Sequence, residues 1–225
     1  MSQISPTPTR QAKKNNPNGT PRAADQVYET LKKEIISGAI GPGELLSENV
    51  IAQRFKISRT PVREAFNQLS CEGLTQVLPQ RGHQVRTISF SEVMEAFHLR
   101  ELLEVEAIGE AARRITDQEL EQLRGIMQGI TDADDVLLKN YHFHSTIARI
   151  SGNRLLAEYI EELLILMQRL LVHTPTLFDP NPELSIIEVL ATRDPEAARE
   201  AMRAHLKDTR DQLVGIIRQG GDLSK

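Results

Sequence analysis

Arg59, Thr60 and Arg63 have the types and spacing that most directly suggest chemistry. They lie in Ser58-Arg59-Thr60-Pro61-Val62-Arg63, where Ser58 can cap a helix and Pro61 fits its first turn, since a missing N–H costs nothing there. A helix N-terminus attracts phosphate, and an arginine can bridge two acceptors on a guanine edge. Arg81 stands in Gln80-Arg81-Gly82, a turn sequence that can form the tip of a ribbon. Basic side chains on two elements suited to one duplex point to nucleic-acid contact rather than to a merely solvated surface.

The elements that must hold these residues follow from patterning. Ser47 can cap a helix with Val50, Ile51, Ala52 and Phe55 on one face, and Lys56-Ile57 then makes a short turn. The next helix would turn Val62, Ala65, Phe66 and Leu69 inward and end at Gly73. Leu74 to Val77 and His83 to Arg86 read as a hairpin. A preceding helix is expected from about Asp25 to Ser37, with Val27, Leu31, Ile35 and Ile36 at helical spacing, followed by the breaker-rich turn Gly38-Ala39-Ile40-Gly41-Pro42-Gly43. The sum is a winged helix-turn-helix over residues 25–88.

Charge is divided along the 225 residues. Residues 1–88 carry 12 Lys and Arg against 7 Asp and Glu, whereas the remainder carries 15 against 24, giving the formal net charge of −4. A basic first part can grip phosphates while an acidic second part keeps the molecule off nonspecific DNA. Residues 1–24 read as a disordered, solubilising tail whose Arg10, Lys13, Lys14 and Arg22 are also placed to brush DNA. No apolar run reaches the ~20 residues of a membrane helix. The polar N-terminus shows no signal peptide, and the single Cys71 excludes an intramolecular disulfide and reads as a small core residue. A cytoplasmic protein is expected.

From Ser89 onward every segment reads as helix. Ser89-x-x-Glu92 and Thr116-x-x-Glu119 are capping boxes opening helices to about Arg114 and Gly129. A third helix spans about Asp132 to Ser151, and a fourth runs from Asn153 to near His173. Pro175, Pro180 and Pro182 mark a loop, a short helix covers Glu183 to Thr192, and Asp194 with Pro195 opens the last, to about Gln219. The expected fold is mainly α: a winged helix-turn-helix followed by a six-helix antiparallel bundle over residues 89–219, with residues 220–225 a disordered tail.

The run from Ile35 to Val85 resembles the DNA-binding domain of the GntR family of bacterial transcription regulators, on Gly38-Ala39-Ile40-Gly41-Pro42-Gly43 and on Ser58 through Ala65. The resemblance implies that Ser58, Arg59, Thr60 and Arg63 read bases and phosphates and that Arg81 and Gly82 enter the adjacent minor groove. Asn49 stands where some relatives carry an arginine. The bundle is similar to the FCD ligand-binding domain of the FadR-like branch, in its six-helix VanR-type form, on Phe143-His144, Ser151-Gly152-Asn153, Arg193 to Ala198, and Met202 to Leu206.

FCD domains commonly hold a divalent metal with one aspartate and three histidines. By that resemblance the positions here are Asn140, His144, Glu183 and His205, an altered set with the same formal charge, still directed at zinc or nickel but weakened by an amide ligand. The other reading leaves these as buried, hydrogen-bonded side chains of a metal-free pocket. Arg100, with Phe97 and Glu104 on its face, matches the arginine expected to pair an organic-acid effector; the alternative for it is a surface ion pair with Glu104. Arg169 is a second effector candidate and Asn153 a third. His142 should lie on the surface, and His98 and His173 have no partners at ligand spacing. The implied function is a homodimeric regulator, more often a repressor in such families, that binds a palindromic double-stranded operator under control of a small organic acid. A metalloenzyme fused to a DNA-binding domain is the rival, disfavoured because no nucleophile–base pair at motif spacing and no HExxH pattern occurs.

Overall fold

The computed structural model describes residues 22–129, 133–171 and 181–218. Helix α1 (Ala23–Ile36) starts two residues earlier than its pattern suggested and buries Ala24, Val27, Tyr28, Leu31 and Ile35, one stripe at helical spacing. Strand β1 (Leu45–Leu46) leads into α2 (Glu48–Phe55) and α3 (Arg59–Cys71), and the ribbon β2 (Thr75–Leu78) and β3 (Gly82–Val85) follows. The three strands form an antiparallel sheet in the order β1-β3-β2, with Leu46 opposite His83 and Val77 opposite His83 on the other side. Two-residue β1 was not anticipated; it is too short to show alternation and exists only because β3 offers it an edge.

Val62, Ala65, Phe66 and Leu69 are all fully buried, as the spacing predicted, and pack with Val27, Leu31, Leu46, Ile51 and Val85 in one core. Val50 is an exception to the expected face of α2, being 60% exposed. Cys71 corrects another expectation: it is the last residue of α3 and is exposed. Gly73 ends the helix at φ +68°, where its N–H bonds Ser70 O and the next N–H bonds Leu69 O. Ser47 and Ser58 both have the extended backbone of an N-cap, but neither hydroxyl caps its helix.

Among the described residues six helices follow: α4 (Phe90–Ala112), α5 (Asp117–Met127), α6 (Ala133–Ile150), α7 (Arg154–Leu171), α8 (Asn181–Ala191) and α9 (Pro195–Arg218). Both capping boxes close as their residue types require, at Ser89 with Glu92 and at Thr116 with Glu119. Asp194 Oδ1 accepts from the N–H groups of Glu196 and Ala197 at the start of α9. Helix α4 packs against α6, α7 and α9, while α8 is held between α5 and α9. The largest cluster joins Ile108, Leu123, Phe143, Ile187, Leu190 and Met202. The tail residues Arg10, Lys13 and Lys14, the loop residues His173, Pro175 and Pro180, and residues 219–225 lie outside the described residues.

The two halves meet along α7. Ile165 packs against the core of the winged half, and α7 touches α1. The buried Arg169 donates from Nη2 to Arg86 O at 2.7 Å and from Nη1 to Gly73 O at 3.5 Å. Burial and the neighbouring Arg86 charge pull the Arg169 guanidinium down to about 10, with Glu92 opposing; it therefore stays charged at neutral pH.

Candidate nucleic-acid interface and metal centre

One open face of the winged half carries the basic side chains. Ser58, Arg59, Thr60 and Arg63 are exposed on the first turns of α3, Asn49 is exposed on α2, and Arg81 is exposed at the ribbon tip. Gly82 there has φ +99°, and a Cβ would come within 2.7 Å of Leu46 O, so any side chain would push β1 off β3. Glu48 was not singled out from the sequence, yet it organises this face. Its carboxylate accepts from Arg63 Nε at 3.1 Å and Nη2 at 3.0 Å, and from Arg59 Nη2 at 3.3 Å. His83, stacked on Phe66 with ring centroids 4.0 Å apart, lies behind it, with Nε2 3.8 Å from Glu48 Oε1. Burial lowers the His83 imidazole below its ordinary range, although Glu48 pulls the other way.

Inside the bundle, side chains from four helices converge. His144 on α6 and His205 on α9 face each other with Nε2 atoms 3.3 Å apart. Glu183 on α8 is buried beside them, with Oε1 4.0 Å from His205 Nε2, and the three residues offer ligand atoms within 4.8 Å of one another. Behind His144, Glu104 Oε2 lies 2.5 Å from Nδ1, while Glu104 Oε1 accepts from Arg100 Nε at 2.5 Å. A carboxylate this close to Nδ1 orients the ring so that Nε2 faces the centre. Burial by itself would raise the Glu104 carboxyl, but Arg100 and His144 overcome it and hold it down to about 2. Burial, with His144 and Arg100 nearby, holds the His205 imidazole down to about 3 against the pull of Glu104, so His205 is neutral near pH 7.

The donor chemistry fits a metal. Two ligands each ~2.0–2.1 Å from one tetrahedral ion stand about 3.3–3.4 Å apart, which is the spacing of the two Nε2 atoms. Two imidazoles and a buried carboxylate are donor types that hold zinc or nickel.

Comparison with known proteins agrees with both halves. The pattern of "Bacterial regulatory proteins, gntR family" matches residues 23–85, and that of the "FCD domain" matches residues 95–208. The chain belongs to the GntR family. Among similar proteins, the "Uncharacterized HTH-type transcriptional regulator YdfH" of Escherichia coli O6:H1 strain CFT073 is 32% identical over 91% of this chain and 95% of its own. The "HTH-type transcriptional repressor RspR" of E. coli K12 is 31% identical over the same shares. The fold is shared with E. coli McbR/YncC, at a TM-score of 0.71 and 22% identity over 89% of this chain and 99% of that one. As a GntR-family member, the protein is a DNA-binding transcription regulator with an FCD effector domain rather than an enzyme.

The structure places some expected site residues of this GntR regulator elsewhere. Asn140 stands beside the cluster, where its Nδ2 donates to Glu183 Oε1 at 2.9 Å and aims that carboxylate. Arg100 is neither free nor on the surface, since it is 3% exposed and paired with Glu104. Arg169 is engaged at the junction of the halves, because the C-terminal turns of α7 run under the ribbon instead of toward the histidines. Asn153 is exposed, and its Oδ1 caps α7 by accepting from Leu156 N. His142 is exposed, as expected, and so is His98.

Proposed function

We propose that this regulator is a homodimeric repressor whose affinity for a palindromic operator is set by a small organic acid entering the bundle at a divalent-metal centre formed by His144, Glu183 and His205. The observation that carries this reading is the 3.3 Å approach of the two Nε2 atoms beside a buried carboxylate. A bound zinc or nickel ion would supply Lewis acidity and an open coordination position for a carboxylate oxygen. Asn140 aims Glu183, Glu104 fixes His144, and the Arg100 Nη groups, which have no partner among the described residues, are available to pair a second effector oxygen. Arg59, Thr60 and Arg63, flanked by Ser58 and Asn49, enter the major groove, and Arg81 follows the adjacent minor groove.

Several features support the finer assignment. Six bundle helices suit a FadR-like, VanR-type member with its DNA-binding part at residues 25–88 and its effector part at 89–219. Repression follows the printed name of RspR. Exposed Leu99 and Leu102 on α4 leave an apolar strip suited to self-association, and a two-fold dimer demands a two-fold operator. No helix among the described residues is long and apolar enough to cross a membrane, in keeping with a cytoplasmic protein at the nucleoid.

The test is metal analysis of protein purified without a histidine tag, followed by a thermal-shift screen of small organic acids with and without zinc or nickel. Retention of about one equivalent and a metal-dependent rise in melting point are expected. Less than about a tenth of an equivalent, with acids still raising the melting point, would sink the metal-assisted reading in favour of a metal-free pocket.

A further inference from the structure

Two guanidinium groups on the DNA-facing side share one carboxylate. Arg63 presents Nε and Nη2 side-on to Glu48, and Arg59 adds Nη2 to the same Oε2. A guanidinium has five N–H groups, so the side-on pairing of Arg63 uses one from Nε and one from Nη2. Its end-on edge, Nη1 with the second Nη2 hydrogen, remains open, and that edge matches the O6 and N7 acceptors of guanine. The arginines are 58% and 59% exposed along their side chains, whereas Glu48 is 17% exposed. Outward-facing donors are thus fastened from the inside.

Three elements meet at this carboxylate: α2 through Glu48, α3 through Arg59 and Arg63, and the ribbon through His83. Glu48 itself faces His83, Arg59 and Arg63, and Arg63 by its hydrogen bond contributes most to holding the Glu48 carboxyl down to about 2. A negative charge at the base of a DNA-binding face is unfavourable for phosphate, which any duplex offers, and neutral toward a base edge, which only the correct sequence offers.

We infer that Glu48 is a positioning residue for sequence readout: it holds Arg63 and Arg59 end-on for base edges and keeps them from settling on phosphates. The inference rests on α3 being the reading helix. Ordering a long side chain before binding removes a cost otherwise met on association, and releasing it returns that cost. Glu48 does not itself contact DNA.

The experiment uses the full-length protein, an operator selected by it from random duplexes, and a scrambled duplex of equal length, with affinities measured by fluorescence anisotropy over a range of salt. For Glu48→Gln, operator affinity should fall about tenfold, while affinity for the scrambled duplex holds or rises. The salt slope on the scrambled duplex should steepen by about 1 as a freed guanidinium moves to phosphate. Glu48→Asp keeps the charge but not the reach for two-point pairing, so it should lose the specificity ratio too, and it carries the test if the Gln variant folds poorly. Equal loss on both duplexes, or a preserved ratio in either variant, would overturn the inference. Arg63→Ala separates the two levels: if it leaves operator affinity unchanged, the reading-helix assignment falls as well, whereas if it weakens binding while both Glu48 variants keep the ratio, only the positioning role falls.

Discussion

His144 Nε2 and His205 Nε2 stand 3.3 Å apart, one on α6 and the other on α9. Two imidazole nitrogens at that separation can share only one proton between them. Replacing that weak contact by a cation lets both lone pairs bond at once. His144→Ala and His205→Ala are each expected to reduce zinc retention below about a tenth of an equivalent, measured by elemental analysis after dialysis.

Glu104 touches no ligand position yet sets the one at His144. Glu104→Gln should weaken zinc binding about 10- to 100-fold in competition with a chromophoric chelator. Glu104→Ala additionally strands the buried Arg100 charge, and a loss of about 3–5 kcal/mol in urea-unfolding stability is expected.

On the DNA-facing side, Arg59→Ala and Arg63→Ala should each weaken operator binding by about 1–3 kcal/mol at fixed salt and relax sequence preference. Arg81→Ala should act through the wing, with a smaller loss. Unaltered mobility-shift affinity for all three would mean that another face reads the duplex.

Arg169 closes the junction with bonds to two backbone carbonyls. Arg169→Met keeps the stem but removes both, at a cost of about 1.5–3 kcal/mol for hydrogen bonds made by a charged group. Hydrogen exchange should quicken around Gly73 and Arg86. The effector-dependent change in operator affinity should shrink, while zinc retention stays as in the wild type.

The Glu48 carboxyl titrates at about 2 when folded, below the ordinary 4.5, because Arg63 and then Arg59 bond the charged form. A depressed carboxyl contributes stability above its unfolded value and loses it as pH falls toward its folded one. Urea midpoints should therefore decline between pH 4.5 and 2 by more in the wild type than in Glu48→Gln. Both arginine partners are more than half exposed, so the difference is expected to be about 1 kcal/mol or less.

Local signals were legible where one element decides the outcome. The buried face of α3, the two capping boxes and the succession of six helices all depend on spacing within about 20 residues, and the structure follows them. What escaped the sequence depends on distant partners. Glu48 looks like an ordinary first-turn acid until α3 folds back onto it, and Arg169 like an ordinary helix-end base until the end of α7 meets the carbonyls of Gly73 and Arg86. At the bundle centre the resemblance named Asn140, His144, Glu183 and His205, but that Asn140 turns its amide nitrogen toward Glu183 depends on how α6 and α8 pack. Cys71 was misjudged because, two residues past the buried Leu69, it falls on the face of α3 opposite the stripe of Val62, Ala65, Phe66 and Leu69.

Helix α7 packs on α4 and α6, which carry Arg100, Glu104 and His144, and ends at the Arg169 bonds under the ribbon. Its 18 residues make a rod about 27 Å long. Mechanically it is a lever between the bundle helices α4 and α6 and the winged half. A tilt of about 5° at its first turn would displace the far end by roughly 2 Å, so a small adjustment at the proposed effector centre, passed through α4 or α6, would reach the wing.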